Sequence, residues 1–537
     1  MSEGRGIVLV GLSGSGKTAL GACLAERLQR PFIDLDGLVL DTTGLSAAEH
    51  IERHGEVSFR RVESAVVEQA CRTPDAVIAT GGGAVIEPLD RWRLWDHGLT
   101  VWLDAPDERL AERIGGSVET RPLLAGDPVG RLAAQREARS AFYRAADVRL
   151  DADQPLGALV DAVVRPLSAA RPSIGRRLFD AEPPRQHPFG PERARVVLGR
   201  DLDAAQLQEA LGPLTSRGRP SLIADRFAAA LQPQLVGSLP HQRRLEVTAG
   251  ESSKRLGRLE EILEWLSGEG AERDDAILAF GGGTLGDLAG FASAVYLRGV
   301  PLVQVPTTWL AQADAAIGGK VAVDLGRAKN AVGATWPAWA VIADIAALRT
   351  LGEAHLRDGF AESVKAGLIN DPALWDLAES SGRRALSDER IRYALLERAV
   401  RVKLDVVARD PYEIGERRVL NLGHTLGHAL EIESGYRLAH GSAVALGMRA
   451  VAAVATSRGA DPALPQRLDA LLHATGFDLR RSFDAAAVRA ALTTDKKRSG
   501  GRQRWILPMA IGQVIQVDDV TDAELDLALA TIAPSAA

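Results

Sequence analysis

The chain has 537 residues, 46% of them hydrophobic and 25% charged, with a net charge of −6; that is the make-up of a soluble globular protein of roughly two to four domains and gives no sign of a nucleic-acid partner. No apolar run is long enough to span a bilayer, and the apolar start Gly6–Val10 feeds a phosphate loop rather than an export signal, so no membrane role is expected. Two cysteines, Cys23 and Cys71, exclude a disulfide scaffold and a cysteine zinc site and make a reducing cytoplasm the expected compartment. Of 64 basic residues only eight are lysines, namely Lys17, Lys254, Lys320, Lys329, Lys365, Lys403, Lys496 and Lys497. Arginine serves wherever a generic positive charge will do, so lysine marks places where a compact ammonium matters.

Ile7–Val10 reads as a buried strand running into Gly11-Leu-Ser-Gly14-Ser15-Gly16-Lys17-Thr18 and a helix over Ala19–Gln29. This is a complete GxxxxGK[ST] loop in the strand–loop–helix setting the motif requires. Its amides and the helix N-terminus cradle phosphates, Lys17 reaches the β- and γ-oxygens, and Thr18 holds Mg2+. The loop names a nucleotide and leaves the acceptor open. Phe32–Asp36 reads as a second strand with Asp34 and Asp36 on one face, suited to Mg2+ and to a substrate hydroxyl. Ser46-Ala-Ala-Glu49 is a capping box that starts a helix. After it come Phe59-Arg60, a strand over Ala76–Ala79 ending in Gly81-Gly82-Gly83, Arg121-Pro-Leu-Leu, and Arg139 before Phe142-Tyr143. The glycines admit a ligand close to the backbone, and Arg60 and Arg139 suit bidentate binding of a small carboxylate.

The phosphate loop, DxD, FR, GGGA and RPLL stand in the order found in shikimate kinase, which residues 1–165 resemble. The resemblance implies a nucleoside-monophosphate-kinase-like P-loop fold and ATP-dependent phosphorylation of the shikimate 3-hydroxyl. It assigns Asp36, Arg60, Gly82 and Arg139 to shikimate, Lys17, Thr18 and Asp34 to ATP and Mg2+, and Arg121 to a lid. A sugar-acid kinase sharing the loop is the alternative; DxD, GGGA and RPLL together favour shikimate.

From Pro166 to Arg193 periodic apolar spacing is lost while proline and arginine accumulate, which reads as a semi-extended linker over 166–193. Arg195–Gly199, Ser221–Ala224 and Leu245–Thr248 then read as strands, with helices such as Leu256–Leu266 between them, an α/β nucleotide-binding layer over 194–350. Ala276–Phe280 is an apolar strand leading to Gly281-Gly282-Gly283-Thr284 and a helix from about Leu285 that carries Asp287; a pyrophosphate can meet backbone amides there. Next come Arg298, a strand over Leu302–Val305, Thr307-Thr308, the run Asp314 to Lys320, and Lys329-Asn330. Two lysines and an arginine beside a dinucleotide cleft suggest a phosphorylated, carboxylated substrate.

Past Leu351 the chain turns mostly helical and alanine-rich. His424 and His428, inside Asn421-Leu-Gly-His-Thr-Leu-Gly-His-Ala429, are four apart and share one helix face. They can grip a divalent metal together, or one can bind while the other moves protons. Glu362, in Asp358-Gly-Phe-Ala-Glu362-Ser-Val-Lys365, supplies a carboxylate, and Lys403, Arg417, His440 and Asp495-Lys496-Lys497 complete the polar set.

GGGTLGDLAGF, PTT, IGGK with KN, DGFAE, NxGHTxGHA, HG and DKK follow in the order that makes residues 195–537 similar to 3-dehydroquinate synthase. The resemblance implies an NAD-binding α/β domain followed by a helical metal domain over 351–537, usually as a homodimer. It implies Zn2+, with Co2+ a substitute, on Glu362, His424 and His440. The implied reaction cyclises 3-deoxy-D-arabino-heptulosonate 7-phosphate to 3-dehydroquinate with loss of phosphate, NAD+ taking and returning a hydride. Glu251, Lys254, Gly281, Gly282, Gly283, Asp287, Thr307, Thr308 and Lys329 would face NAD+. Arg298, Asp314, Lys320, Asn330, Lys365, Lys403, Arg417, Asn421, Lys496 and Lys497 would face substrate, and His428 would be left for protons. The segment Glu362-Ser-Val-Lys365-Ala departs from the family, which often has a bulkier pair around the lysine, and leaves Glu362 and Lys365 in place. Spacing alone nominates His424 with His428 for the metal, whereas the resemblance nominates His424 with His440. Another sugar-phosphate cyclase and a metal-dependent polyol dehydrogenase are the alternatives; the dehydrogenase has no need of so many cations.

Overall fold

The computed structural model describes residues 5–115, 127–169, 175–187, 190–326, 328–494 and 503–534. Arg121, Lys496 and Lys497, expected at the sites, lie outside these residues. The chain divides into two compact units, Met1–Glu182 with Val197–Asp203, and Pro183–Val196 with Ala204–Ala537.

The first unit is built on β1 (Gly6–Val10), β2 (Phe32–Asp34), β3 (Val77–Ala79), β4 (Gly98–Asp104) and β5 (Val148–Asp151). They lie in the order β2-β3-β1-β4-β5 with parallel neighbours. Every residue of β1 and β3 is buried, as a parallel sheet covered on both faces requires, which is why Ile7–Val10 is an unbroken apolar run. Central β1 delivers the glycine loop to the helix Lys17–Leu28 at the carboxyl edge of the sheet, where ligands of such sheets bind.

Two expectations are corrected here. β2 ends at Asp34, and Asp36 sits in the first turn of the helix Leu35–Thr43. The cause is local: the Asp34 carboxylate accepts a hydrogen bond from the Asp36 amide (3.0 Å) and caps the helix, overriding the strand signal. The stretch 166–193 is no tether either. The helix Leu156–Ala169 passes through Pro166, and it is followed by β6 (Arg176–Ala181) and the antiparallel hairpin of β7 (Pro184–His187) with β8 (Gly190–Arg193). β6 is fixed by arginines from elsewhere in its own unit: Arg91 donates to Leu178 O (2.6 Å) and Arg144 to Asp180 O (3.0 Å). Such tertiary donors leave no trace in local periodicity.

After β9 (Arg195–Arg200), the second unit lays down β10 (Ser221–Asp225), β11 (Arg243–Val247), β12 (Ile277–Gly281), β13 (Leu302–Pro306), the hairpin β14 (Lys320–Leu325) with β15 (Ala328–Thr335), and β16 (Ala340–Asp344). Within this unit the sheet runs β11-β10-β12-β13-β16 with parallel neighbours. From Glu353 onward helices take over, among them Glu353–Asn370, Glu389–Arg409, His424–Glu433 and His440–Ser457, joined by the hairpin of β17 (Trp505–Ala510) and β18 (Gln513–Val517). No described helix is long and apolar enough to cross a membrane.

Candidate active sites

In the first unit the helix Lys17–Leu28 begins at Gly16, which has no side chain to cap it, so its first amides face the loop. Lys17 is buried and its ammonium donates to Gly11 O and Leu12 O, both at 2.9 Å. Thr18 Oγ1 donates to Asp34 Oδ2 at 2.7 Å, so the two groups assigned to Mg2+ adjoin. The triple glycine after β3 is the floor against which the expected acceptor-binding side chains lie. A Cβ on Gly81 would come within 2.8 Å of Asp36 Oδ1, one on Gly82 within 3.2 Å of Arg139 Nη1, and one on Gly83 within 2.4 Å of Arg60 Nη1. Arg139 Nη1 and Tyr143 OH both donate to Gly82 O, at 3.1 and 2.7 Å. Arg60 is aimed by Glu63 (2.5 Å) and Glu56 (2.9 Å). Burial pushes the Glu63 carboxyl up against the pull of Arg60. Glu63 was missed in the sequence reading, although it stands three residues after Arg60 on the same helix face.

In the second unit β12 ends in the glycine run, and the helix Gly283–Val295 starts at Gly282 without a side-chain cap. Thr308 and Ala315 crowd this turn: a Cβ on Gly282 would meet Thr308 Cγ2 at 3.2 Å, and one on Gly283 would meet Ala315 Cβ at 3.2 Å. Thr307 N donates to Gly281 O at 2.9 Å. Buried Lys254 contacts both Asp287 and Asn330. Burial pushes the Asp287 carboxyl up, with Lys254 opposing. Lys329 pairs with Glu251 at 2.8 Å and lies 4.1 Å from the centre of the Tyr436 ring. Asn330, assigned to substrate, therefore stands with the groups assigned to NAD+.

The metal-type residues come from three helices. Glu362 lies midway along Glu353–Asn370, His424 opens His424–Glu433, and His440 opens His440–Ser457. Glycines let the two histidine helices touch: a Cβ on Gly447 would fall 1.9 Å from Gly423 O, and one on Gly427 3.0 Å from Ala443 O. Gly441 N donates to Asp358 Oδ1 (3.0 Å), tying the start of the His440 helix to the Glu362 helix. His440 Nε2 lies 3.2 Å and His424 Nε2 3.5 Å from the same oxygen, Glu362 Oε1. His424 Nδ1 sits 3.1 Å from Leu422 O, which fixes the ring with Nε2 turned inward. Among the described residues, Glu362, His424 and His440 form one group able to hold a metal, and His428, Glu431 and His440 another. His428, on the same helix face as His424, does not join Glu362. Burial alone would lower His440, but hydrogen bonding to Glu362 and Glu431 raises it to about 10.

Cations surround this group. Lys365 Nζ is 2.5 Å from Glu362 Oε2, and Lys403 contacts Asp314 and donates to its carbonyl (2.6 Å). Asp314 is presented by a wide π-helical turn, Ala311–Ala315, of the kind that marks functional sites. Burial would raise its carboxyl, but Lys403 and Lys365 hold it well below the usual carboxylate range. Burial lowers Lys403, with Asp314 opposing. Arg417, buried, donates to Gly318 O at 2.9 Å. Lys320 and Asn421 converge on Glu413, with Asn421 Nδ2 2.6 Å from Glu413 Oε1. Neither Glu413 nor Glu431 was singled out in the sequence reading; for Glu431 the signal was its place seven residues after His424, on the same face. Arg298 is not brought to the cluster. It is exposed on a turn in which Leu297 and Arg298 have φ of 48° and 66°.

Comparison with known proteins bears on both units. Residues 13–167 match the shikimate kinase family, residues 244–358 the 3-dehydroquinate synthase N-terminal family, and residues 359–498 the 3-dehydroquinate synthase C-terminal family. A 3-dehydroquinate synthase of Koribacter versatilis is 42% identical over 281 residues, 52% of this chain and 77% of that protein. One of Cereibacter sphaeroides is 40% identical over 346 residues, covering 62% of this chain and 93% of that one. Among solved structures, 2-epi-5-epi-valiolone synthase of Streptomyces hygroscopicus, with NAD+ and Zn2+ bound, superposes with a TM-score of 0.60 at 29% identity, covering 65% of this chain and all but 1% of that one (99% covered). The chain thus belongs to the 3-dehydroquinate synthase family and carries a shikimate kinase domain ahead of it, a bifunctional enzyme of the shikimate pathway.

Proposed function

We propose that the two reactions run at the two sites described, and that the residues gathered there carry them. The observation behind the reading is the convergence of two imidazole Nε2 atoms on one buried carboxylate oxygen beside Lys365, Lys403 and Arg417. That donor set, two nitrogens and an oxygen, suits a catalytic Zn2+ or Co2+ with a position left for substrate. The uncapped helix start at Gly282 likewise suits the pyrophosphate of NAD+, and the one at Gly16 the phosphates of ATP. When bound, the metal supplies a Lewis acid, NAD+ a reversible hydride acceptor, and Mg2+ with ATP the phosphoryl group.

The protein's own part is holding and moving protons. Glu362, His424 and His440 would hold the metal, while Glu251, Lys254, Asp287, Thr307, Thr308 and Lys329 hold the dinucleotide. Lys320, Lys365, Lys403, Arg417 and Asn421 would bind the carboxylate, hydroxyls and phosphate of 3-deoxy-D-arabino-heptulosonate 7-phosphate, with Asp314 orienting Lys403 and Asn330 reaching the substrate from beside Lys254 at the dinucleotide end. His428, outside the metal trio, would relay protons through an imidazole not committed to the metal. At the other site Arg60 and Arg139 would clamp the carboxylate of shikimate over Gly82. Asp36 would take the proton of the 3-hydroxyl as it attacks, Lys17 would steady the transferred phosphate, and Thr18 and Asp34 would hold Mg2+. We place both reactions in the cytoplasm and the second unit in a homodimer.

The test supplies heptulosonate 7-phosphate with NAD+ and a divalent metal, and separately shikimate with ATP and Mg2+. Phosphate release without net NADH, and ADP formation dependent on shikimate, are the expected results. Accumulation of NADH in the first assay would mark a dehydrogenase instead.

A further inference from the structure

The second group of metal-type residues points to something the first does not explain. Glu431 is buried, on the last turn of the helix that starts at His424. His424, His428 and Glu431 are spaced i, i+4, i+7, so one helix face carries all three. Glu431 Oε1 lies 3.5 Å from His440 Nδ1, and Oε2 lies 4.0 Å from His428 Nε2. Lys329, from the dinucleotide end of the cleft, approaches Oε1 at 3.9 Å.

The two imidazoles beside Glu362 are set up alike. Each turns Nε2 toward Glu362 Oε1 and Nδ1 toward another oxygen: Leu422 O for His424, Glu431 Oε1 for His440. A neutral imidazole bears one proton, so an acceptor at Nδ1 places the lone pair on Nε2, where a metal needs it. His424 obtains this from its own backbone. For His440 a carboxylate from the neighbouring helix, that of Glu431, takes this place at Nδ1. From these contacts we propose that Glu431 is a positioning residue for the metal centre, holding His440 in the tautomer and ring orientation that turn Nε2 to the metal and bracing His428 with its second oxygen.

Glu431 is not a ligand on this account. It lies on the Nδ1 edge of His440, whereas Glu362 and His424 lie on the Nε2 edge, and one imidazole gives a single metal one nitrogen. The deeper trio is also the more buried: beside the shared His440, the side chains of Glu362 and His424 are 2% and 9% exposed, against 8% and 40% for Glu431 and His428.

This inference rests on the reading that Glu362, His424 and His440 hold a metal, and the experiment separates the two. The full chain and its Glu431→Ala and Glu431→Gln variants are loaded with one equivalent of Zn2+ and titrated with a chelator. They are then loaded with Co2+ for visible spectra, and kcat and KM for NAD+ are measured for cyclisation. Loss of such an outer partner weakens metal binding by about 10- to 100-fold. Glu431→Ala should show that loss, an altered Co2+ spectrum and a lower kcat with KM for NAD+ unchanged. Glu431→Gln, whose side-chain carbonyl can still accept from Nδ1, should recover most of the affinity; it also keeps the proposal testable should the alanine variant fail to fold. Wild-type affinity and spectrum in Glu431→Ala would overturn the proposal. So would a raised KM for NAD+ with metal affinity intact, which would tie Glu431 to Lys329 alone, or a second bound metal that only Glu431→Ala loses, which would make it a ligand. If the wild-type chain binds no metal, or His440→Ala keeps it, the underlying reading fails whatever Glu431 does.

Discussion

On the proposed reading His428 and His440 divide the chemistry of one small volume, and substitution should separate them. An imidazole that gives its lone pair to a metal cannot shuttle protons with that nitrogen. His440→Ala should therefore lose metal and cyclisation together after gentle dialysis. His428→Ala should keep the metal while kcat falls by roughly two to four orders of magnitude, the usual worth of a general acid–base. An empty site in His428→Ala beside a filled one in His440→Ala would mean that helical spacing, not the Glu362 Oε1 convergence, picks the ligands. At the kinase site the residue proposed for the matching role is Asp36. Its carboxylate faces Gly81 on the same floor as Arg60 and Arg139, so Asp36→Asn should reduce kcat far more than it raises KM for shikimate.

Elements place these residues, and their packing sets how much substitution they tolerate. The helices bearing His424 and His440 meet where Gly447 faces Gly423 O, which leaves no room for a methyl group. Gly447→Ala should force them apart, costing about 1–3 kcal/mol as overpacking does, and should weaken metal binding although no ligand is changed; chemical denaturation and metal titration check the two effects. In the first unit, buried Asp90 accepts from Ser64 Oγ at 2.6 and 2.7 Å, joining the helices Glu56–Cys71 and Pro88–His97. Burial pushes its carboxyl up to about 6. A raised carboxyl favours the fold while it is protonated, so this stability is present at pH 4 and below and is lost as pH rises through 6, by about 3 kcal/mol at most. Hydrogen exchange in β1 should show that decline in the wild type and a flatter profile in Asp90→Asn. The same elements mark what could be read from the chain. β1, β12 and the glycine turns after them were legible because apolar runs and glycines are local signals. Asp36 was misplaced because a side-chain cap decided between strand and helix, and β6 was missed because arginines distant in sequence hold it. Glu362 and His424 stood out by motif; Glu431 did not, since its role exists only once a second helix brings His440 beside it.

At the scale of the whole molecule the two reactions are not consecutive. The cyclase product, 3-dehydroquinate, must lose water and have its ketone reduced before it can serve the kinase, so direct transfer between the sites has no chemical basis. With added dehydratase and reductase, shikimate phosphate should appear after the same lag as from a mixture of the separate activities. The fold agrees with that independence: the glycine loop with Lys17 and the Glu362–His424–His440 group belong to different compact units. The central claim, one chain with two separable enzymes, is tested most directly by assaying both reactions on a single purified Lys17→Met protein. The account predicts that shikimate-dependent ADP formation disappears while phosphate release from heptulosonate 7-phosphate stays within about twofold of the wild type, the scatter expected of sites that do not couple. Comparable loss of both activities in a folded Lys17→Met protein would contradict it.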